Sequence, residues 1–290
     1  MCPYQYAADK IKIFHESVGF PPHISAQDLY CRLNEHVVVR VCGRVALFML
    51  LSEPLNVEKL KYPLISMLTP LEHPTIDMAN SLMETLGSYG KMFLILHENC
   101  DFNSKLFLEL LPLTSTFYEQ VKLLFKMNRL DESIEGIPNG IRIRCFVKGY
   151  DEQAYADLYN EILGYLGTSI DREFVCKVVK RKSFDPDGYF LAENSNSLVG
   201  FASIENEPFG PKGSGFGYIY QFGVRENFHG TGLADALMSR VKKYAKVRGI
   251  NRIGVGVRRS NGRALSFFQK NGFSEAYAVK GYILNLENSI

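Results

Sequence analysis

Residues 218–245 constrain this chain more than any other stretch. Residues 218–224 read Tyr-Ile-Tyr-Gln-Phe-Gly-Val, aromatic and β-branched enough for a strand. Beyond them Leu233, Ala234, Leu237, Val241, Tyr244 and Ala245 recur at helical spacing. The turn between carries Gly230 and Gly232. A strand, a glycine turn and a helix in that order place unpaired backbone N–H groups and the positive end of the helix dipole at one spot. Glycine removes the Cβ that would keep an anion away from the main chain. No carboxylate lies between Gly230 and Ala234, so the turn is expected to receive a phosphate-bearing ligand.

The rest of the 290-residue chain narrows the partners. A net charge of +2 with 22% charged residues points neither to nucleic acid nor to an anionic membrane surface. No apolar run approaches the roughly 20 residues that span a bilayer. Residues 1–9 lack the basic and apolar regions of a signal peptide, and the six cysteines show no CxxC spacing, so a reducing cytoplasm is the expected location. Cys42 and Cys145 lie in apolar strand-like runs, where buried inert thiols are expected. The six histidines have no metal-ligand spacing, and no metal is expected.

Periodicity divides the chain into two similar halves, 1–136 and 137–290, joined by the polar stretch 128–140. The first half reads as helix over 5–35, strands at 36–42, 44–51 and 62–68, a helix at 74–89, a strand at 91–97, a helix at 102–111 and a strand at 117–125. The second reads as a strand at 141–147, helices at 152–163 and 171–181, a hairpin over 188–205 and a Gly-rich loop at 209–216. The strand–turn–helix follows, then a strand at 252–257, a helix at 262–270 and a strand at 276–286. An offset of 155 lays Leu82-Met83 on Leu237-Met238, Tyr89 on Tyr244 and Lys91 on Lys246, which suggests an internal duplication. At the phosphate-turn position the first half has Asp77, an anion where the second half has donors.

Two motifs in the second half resemble the GNAT superfamily of N-acetyltransferases. The family turn Gln/Arg-x-x-Gly-x-Gly/Ala falls on His229-Gly-Thr-Gly-Leu-Ala234, and its Asn-x-x-Ala, aromatic, Gly-Phe motif falls on Asn261, Ala264, Phe268, Gly272 and Phe273. The resemblance covers about residues 141–290, and the layout is similar to tandem members such as mycothiol synthase. It implies an α/β (α+β) fold of two GNAT-like domains, the first degenerate, each a mixed, mostly antiparallel sheet flanked by helices. It also implies an N-acyltransferase that moves an acyl group from acetyl-coenzyme A directly to an amine on a small molecule or peptide, as a monomer or homodimer. The alternative is a non-catalytic acyl-coenzyme A sensor or scaffold.

By the same resemblance, His229, Gly230, Thr231, Gly232, Leu233 and Ala234 hold the pyrophosphate. Phe222 and Val224 bond the pantetheine arm where two strands splay, the Val224 N–H polarises the thioester carbonyl, and Asn261 steadies the pantetheine or its loop. Two departures stand out: His229 replaces Gln or Arg and is expected to be protonated beside a pyrophosphate, and Phe268 replaces a proton-donating tyrosine. Tyr282 or Tyr277 on the last strand are the substitutes considered. Glu205 is the preferred general base, with Glu193 as a rival; Tyr220 and Gln221 lie on the central strand, and Tyr220, in register with Phe222 and Val224, is expected to line the acceptor side. The basic run Arg240, Lys242, Lys243, Lys246, Arg248 and Arg252 is either a solvated helix face or a partner for the 3′-phosphate of coenzyme A.

Overall fold

The computed structural model describes residues 36–41, 44–52, 64–70, 76–77, 80, 83–84, 91–97, 113–127, 136–166, 169–181, 184–195, 197–206 and 215–285. The helices expected at 5–35 and 102–111 and most of the Gly-rich loop lie outside these residues.

Eleven strands build one sheet: β1 (His36–Val41), β2 (Arg44–Ser52), β3 (Leu64–Pro70), β4 (Lys91–His97), β5 (Leu113–Lys126), β6 (Arg142–Cys145), β7 (Tyr189–Glu193), β8 (Leu198–Asn206), β9 (Phe216–Val224), β10 (Arg252–Arg258) and β11 (Ser274–Asn285). Four helices follow the second-half pattern: α1 (Glu152–Leu163), α2 (Arg172–Val178), α3 (Leu233–Val247) and α4 (Gly262–Lys270). Residues 76, 77, 80, 83 and 84, inside the helix expected at 74–89, are helical. The sheet is mixed and mostly antiparallel, with β3 parallel to β4 and β9 parallel to β10.

The strand order is β1-β2-β3-β4-β11-β5-β10-β9-β8-β7-β6. In chain order β5 closes the first half and β11 the second, yet each has crossed over. β5 pairs with β10, β11 pairs with β4, and the two pair with each other in the middle. Outward from that central pair β4, β3, β2 and β1 answer β10, β9, β8 and β7, with β6 extra at the second edge, as in a duplicated unit with exchanged last strands. The duplication therefore lies in the topology, while the constant offset of 155 fails. Lys91 opens β4, whereas Lys246 sits in the last turn of α3, ahead of β10.

Exchange puts first-half residues into the second half's core. Val121, Leu123 and Phe125 of β5 are at most 4% exposed and pack with Leu237, Val241 and Ala245 of α3 and with Ile253 and Val255 of β10. On the opposite face Tyr155, Leu158 and Tyr159 of α1 and Val175 of α2 cover Leu191 and Phe201. At the edge, Arg144 of β6 binds the buried carboxylate of Asp151 at 2.6 and 2.8 Å, which ties the strand to the start of α1. Cys145, expected to be buried, is exposed: it is the last residue of an edge strand with no further strand to cover it.

Candidate functional site

β9 is bonded on both sides only over its first half. Its parallel ladder with β10 runs from Phe216↔Arg252 to Ile219↔Val255 and stops there. On its other side the register with β8 slips between Ser203 and Ile204, so Tyr220 is an extra residue. Such a bulge bends the strand away from its neighbour. Past it, the Arg225 N–H donates to the Val199 carbonyl at 2.9 Å. Antiparallel alternation then turns the main chain of Phe222 and Val224 away from β8, into the gap beside β10.

The gap ends at the glycine turn. Gly230 and Gly232 have φ of +75° and +87°, a left-handed conformation that side chains rarely adopt, and a Cβ at either would meet nothing within 4 Å. Gly232 caps α3 without a side-chain bond. The Thr231 hydroxyl donates to the Phe228 carbonyl at 2.8 Å and receives the Leu233 amide at 3.4 Å. Among the described residues the amides of Gly230, Gly232, Ala234 and Asp235 meet no acceptor. They stand at the positive end of a 15-residue helix. Asp235, an acid in the first turn, is drawn aside by Asn271 Nδ2 at 3.2 Å and Lys270 Nζ at 3.3 Å.

His229 meets two partners. Its Nε2 lies 3.0 Å from the Val224 carbonyl and its Nδ1 lies 2.6 Å from Arg263 Nη1. Arg263 brings a positive charge to the turn from the first turn of α4 and was not among the residues expected there. Its place two residues after Asn261 is the signal that could have found it.

Asn261 is a helix cap. Its Oδ1 accepts the Ala264 amide at 3.0 Å and its Nδ2 donates to the Tyr165 hydroxyl at 3.0 Å. Asn261→Ala is therefore expected to cost about 1 kcal/mol of stability through the lost cap. Chemical denaturation with and without acetyl-coenzyme A checks it, because a cap loses stability equally in both. Phe268 is 4% exposed and packs edge-on to Phe222 and Phe273, with ring centroids at 5.7 and 5.2 Å. Phe222 also faces Phe267 at 5.2 Å, so an aromatic wall backs the gap on the α3 and α4 side.

The other face is polar beneath α1 and α2. The Tyr155 hydroxyl donates to Gln221 Oε1 at 2.6 Å, and Ser203 Oγ joins the same oxygen at 3.2 Å. Glu205 is 9% exposed, accepts the Tyr189 hydroxyl and stands opposite Tyr218 in the register. Burial, reinforced by the Glu205 carboxylate, pushes the Tyr189 phenol well above its ordinary range. Burial does the same to Tyr155. Phe146, Ile170, Phe174, Val175 and Phe184 close an apolar pocket against Tyr155, Tyr189 and Gln221, enclosing about 290 Å³ of empty space with open solvent included. Tyr220 is 48% exposed on the bulge.

The register separates the other candidates from this centre. Glu193 is held by Arg144 at 2.7 Å, beyond β8 and on the far side from the gap. Tyr282 and Tyr277 lie on β11, which is three strand spacings from β9, or about 14 Å. Tyr282 is displaced further, opposite Ser115, whereas β10 ends opposite Gln120, five residues along β5. Tyr282 therefore does not reach the gap, and Tyr277 is a core aromatic at 1% exposure. The basic run also disperses. Lys242 donates to the Asn271 carbonyl and covers the Phe125 ring, while Arg248 pairs with Asp185 at 2.6 Å at the opposite end of α3 from the turn. Among the described residues no group of His, Cys, Asp or Glu could hold a metal, and no helix is long and apolar enough to cross a membrane.

A glycine turn closes a splayed strand pair in a mixed sheet flanked by helices. Residues 155–273 match the Acetyltransferase (GNAT) family. Mycothiol acetyltransferases of Saccharomonospora viridis and Amycolatopsis mediterranei are 30% and 32% identical over 143 residues, 47% of this chain and 47% of each relative. The chain thus spans about half the length of the curated relatives it matches. Among solved structures, a GCN5-related N-acetyltransferase from Sphaerobacter thermophilus superposes with a TM-score of 0.74 at 19% identity, covering 98% of this chain and 93% of that one. A tandem GNAT protein from the clavulanic acid biosynthesis pathway superposes with a TM-score of 0.71 at 12% identity, covering 98% and 94%. Those two likenesses establish the tandem fold.

Proposed function

We propose that the protein is an acyl-coenzyme A-dependent N-acyltransferase that carries an acetyl group directly to an amine. One observation supports this reading above others: four open amides at Gly230, Gly232, Ala234 and Asp235 close a gap into which Phe222 and Val224 turn their main chain. In this reading the pyrophosphate lies on the turn from His229 to Ala234, with Arg263 beside it. Thr231 and Leu233 shape the loop rather than bind through free amides. The pantetheine arm runs along Phe222 and Val224, against Phe268. The Phe222 N–H, which lies nearer Gly256 than the Val224 N–H does, stabilises the oxyanion, a contact worth about 3 kcal/mol when removed. Glu205 takes the amine proton through water. The division into 1–136 and 137–290 assigns the first unit a supporting part and the second the site. The location is cytoplasmic, and the acceptor is a small molecule or peptide.

A second reading, a non-catalytic acyl-coenzyme A sensor, is favoured by the buried phenyl ring of Phe268 where a proton donor is usual. Both readings require acetyl-coenzyme A to raise the melting temperature, by about 5 °C or more at a hundredfold excess over the dissociation constant. No rise with any coenzyme A thioester defeats both. Release of free thiol on addition of primary amines separates them, since a sensor binds without turnover.

A further inference from the structure

The sheet face below α1 and α2 carries a polar cluster that no step above uses. The Tyr218 hydroxyl accepts a hydrogen bond from Lys122 Nζ at 3.1 Å, and the ammonium lies 5.5 Å from the centre of the same ring. The hydroxyl sits over Gly256, whose cross-strand partner in β5 is Lys122. A Cβ on that glycine would come within 2.8 Å of the Tyr218 hydroxyl and 2.7 Å of the Gln120 amide. Gly256 is the first residue of β10 beyond Val255, its last pair with β9. The hydroxyl is thus placed over the backbone where the gap opens. Tyr218 also stands opposite Glu205 across the β8–β9 register, on the same sheet face, with its hydroxyl toward β10 and the Glu205 carboxylate toward Tyr189 of β7. Two of the cluster's members, Gln120 and Lys122, come from β5, the strand exchanged out of the first half.

The geometry points to Tyr218 as the residue that protonates the departing thiolate, with Lys122 of the first half as its positioning residue; this rests on the acyl-transfer reading above. The amine nitrogen bonds to the thioester carbonyl carbon, the C–S bond breaks and its electron pair goes to sulfur. The Tyr218 O–H gives its proton to that sulfur. Lys122 faces the oxygen on which negative charge then collects, returns a proton to it and recovers one from solvent. The acceptor arrives as an ammonium, and two of its protons leave through Glu205 and water while Lys122 takes one up, so one acyl group moves, one thiol departs and one proton is released overall. The role left empty by Phe268 on α4 passes to the opposite face of the sheet. The first half then enters the chemistry rather than only the packing.

The test measures free-thiol release from acetyl-coenzyme A by the full chain, with a panel of primary amines and with water as acceptor, beside calorimetric binding of the same donor. Tyr218→Phe is expected to lower the release rate about 100-fold while the dissociation constant stays within about threefold, the pattern of a lost proton transfer. The solvent deuterium isotope effect of the natural protein should shrink in that variant. Lys122→Met should lose rate, and Lys122→Arg should recover most of it, which a loss of packing alone does not produce. Equal release by Tyr218→Phe and the natural protein overturns the assignment and leaves the acyl-transfer reading intact. A loss that follows Tyr220→Phe instead overturns it as well. Binding without any thiol release removes the acid and favours the sensor, whereas no binding at all removes both readings.

Discussion

Gly232→Glu is expected to abolish the thermal stabilisation by acetyl-coenzyme A while leaving a folded protein. Space is not the obstacle, since a Cβ at Gly232 meets nothing within 4 Å. The cost comes first from the backbone: a φ of +87° is left-handed, and a side chain there costs about 1–2 kcal/mol. The decisive term is charge. A carboxylate on the cap residue of α3 faces the same open amides that a pyrophosphate would use. An acidic group at a helix N-terminus is itself favourable by about 0.3–1 kcal/mol, which offsets part of the strain. The variant therefore keeps its fold and fills its own anion site. Gly232→Ala separates the two contributions, because it adds the strain without the charge and should weaken binding far less. Melting curves with and without acetyl-coenzyme A decide the matter, and an undiminished shift in the glutamate variant would remove the turn from the binding site.

A fragment limited to residues 137–290 is expected not to fold. It contains the whole glycine turn and the matched family segment, but it lacks β5. Without that strand β10 loses its antiparallel partner over Arg252–Arg258, and β11 loses its own from Ser274 onward. Val121, Leu123 and Phe125, at 1%, 0% and 4% exposure, leave the α3 core together. Deleting one such side chain costs about 2–5 kcal/mol, and a whole domain has only about 5–15 kcal/mol to lose. In the full chain Leu123→Asp should have the same outcome by burying a charge between α3 and the sheet. Circular dichroism and cooperative melting of the fragment give the answer. A fragment that melts cooperatively and binds acetyl-coenzyme A would show that its sheet closes without the exchanged strand.

Several elements were legible to the residue. The apolar run of β4 begins at Lys91 and ends at His97, α1 spans Glu152–Leu163, and α4 spans Gly262–Lys270 behind its Asn261 cap. Each is announced by neighbours in the chain: a run length, a periodicity or a cap. The glycine turn was legible for the same reason, since a left-handed residue ahead of a helix is a local demand. The partner of His229 was not. Arg263 reaches it from another helix, and no spacing records which ring nitrogen an arginine approaches. Cys145 was misjudged because an apolar strand reads alike at an edge and in the middle of a sheet.

The strand exchange lies at the far end of that scale. β5 and β11 are both apolar runs that end a half, and each can satisfy its backbone on either half's sheet edge. Which edge each strand reaches depends on loop closure and on competition between two similar edges, neither of which is written in a strand's own residues. That choice moved Tyr282 away from the gap and brought Lys122 to Tyr218, a residue 96 positions along the chain. Residues close in sequence set the donor turn, because helix ends and left-handed glycines are governed by the few residues around them. Packing of distant strands set which side chains face the gap, because sheet partners are chosen across the whole chain.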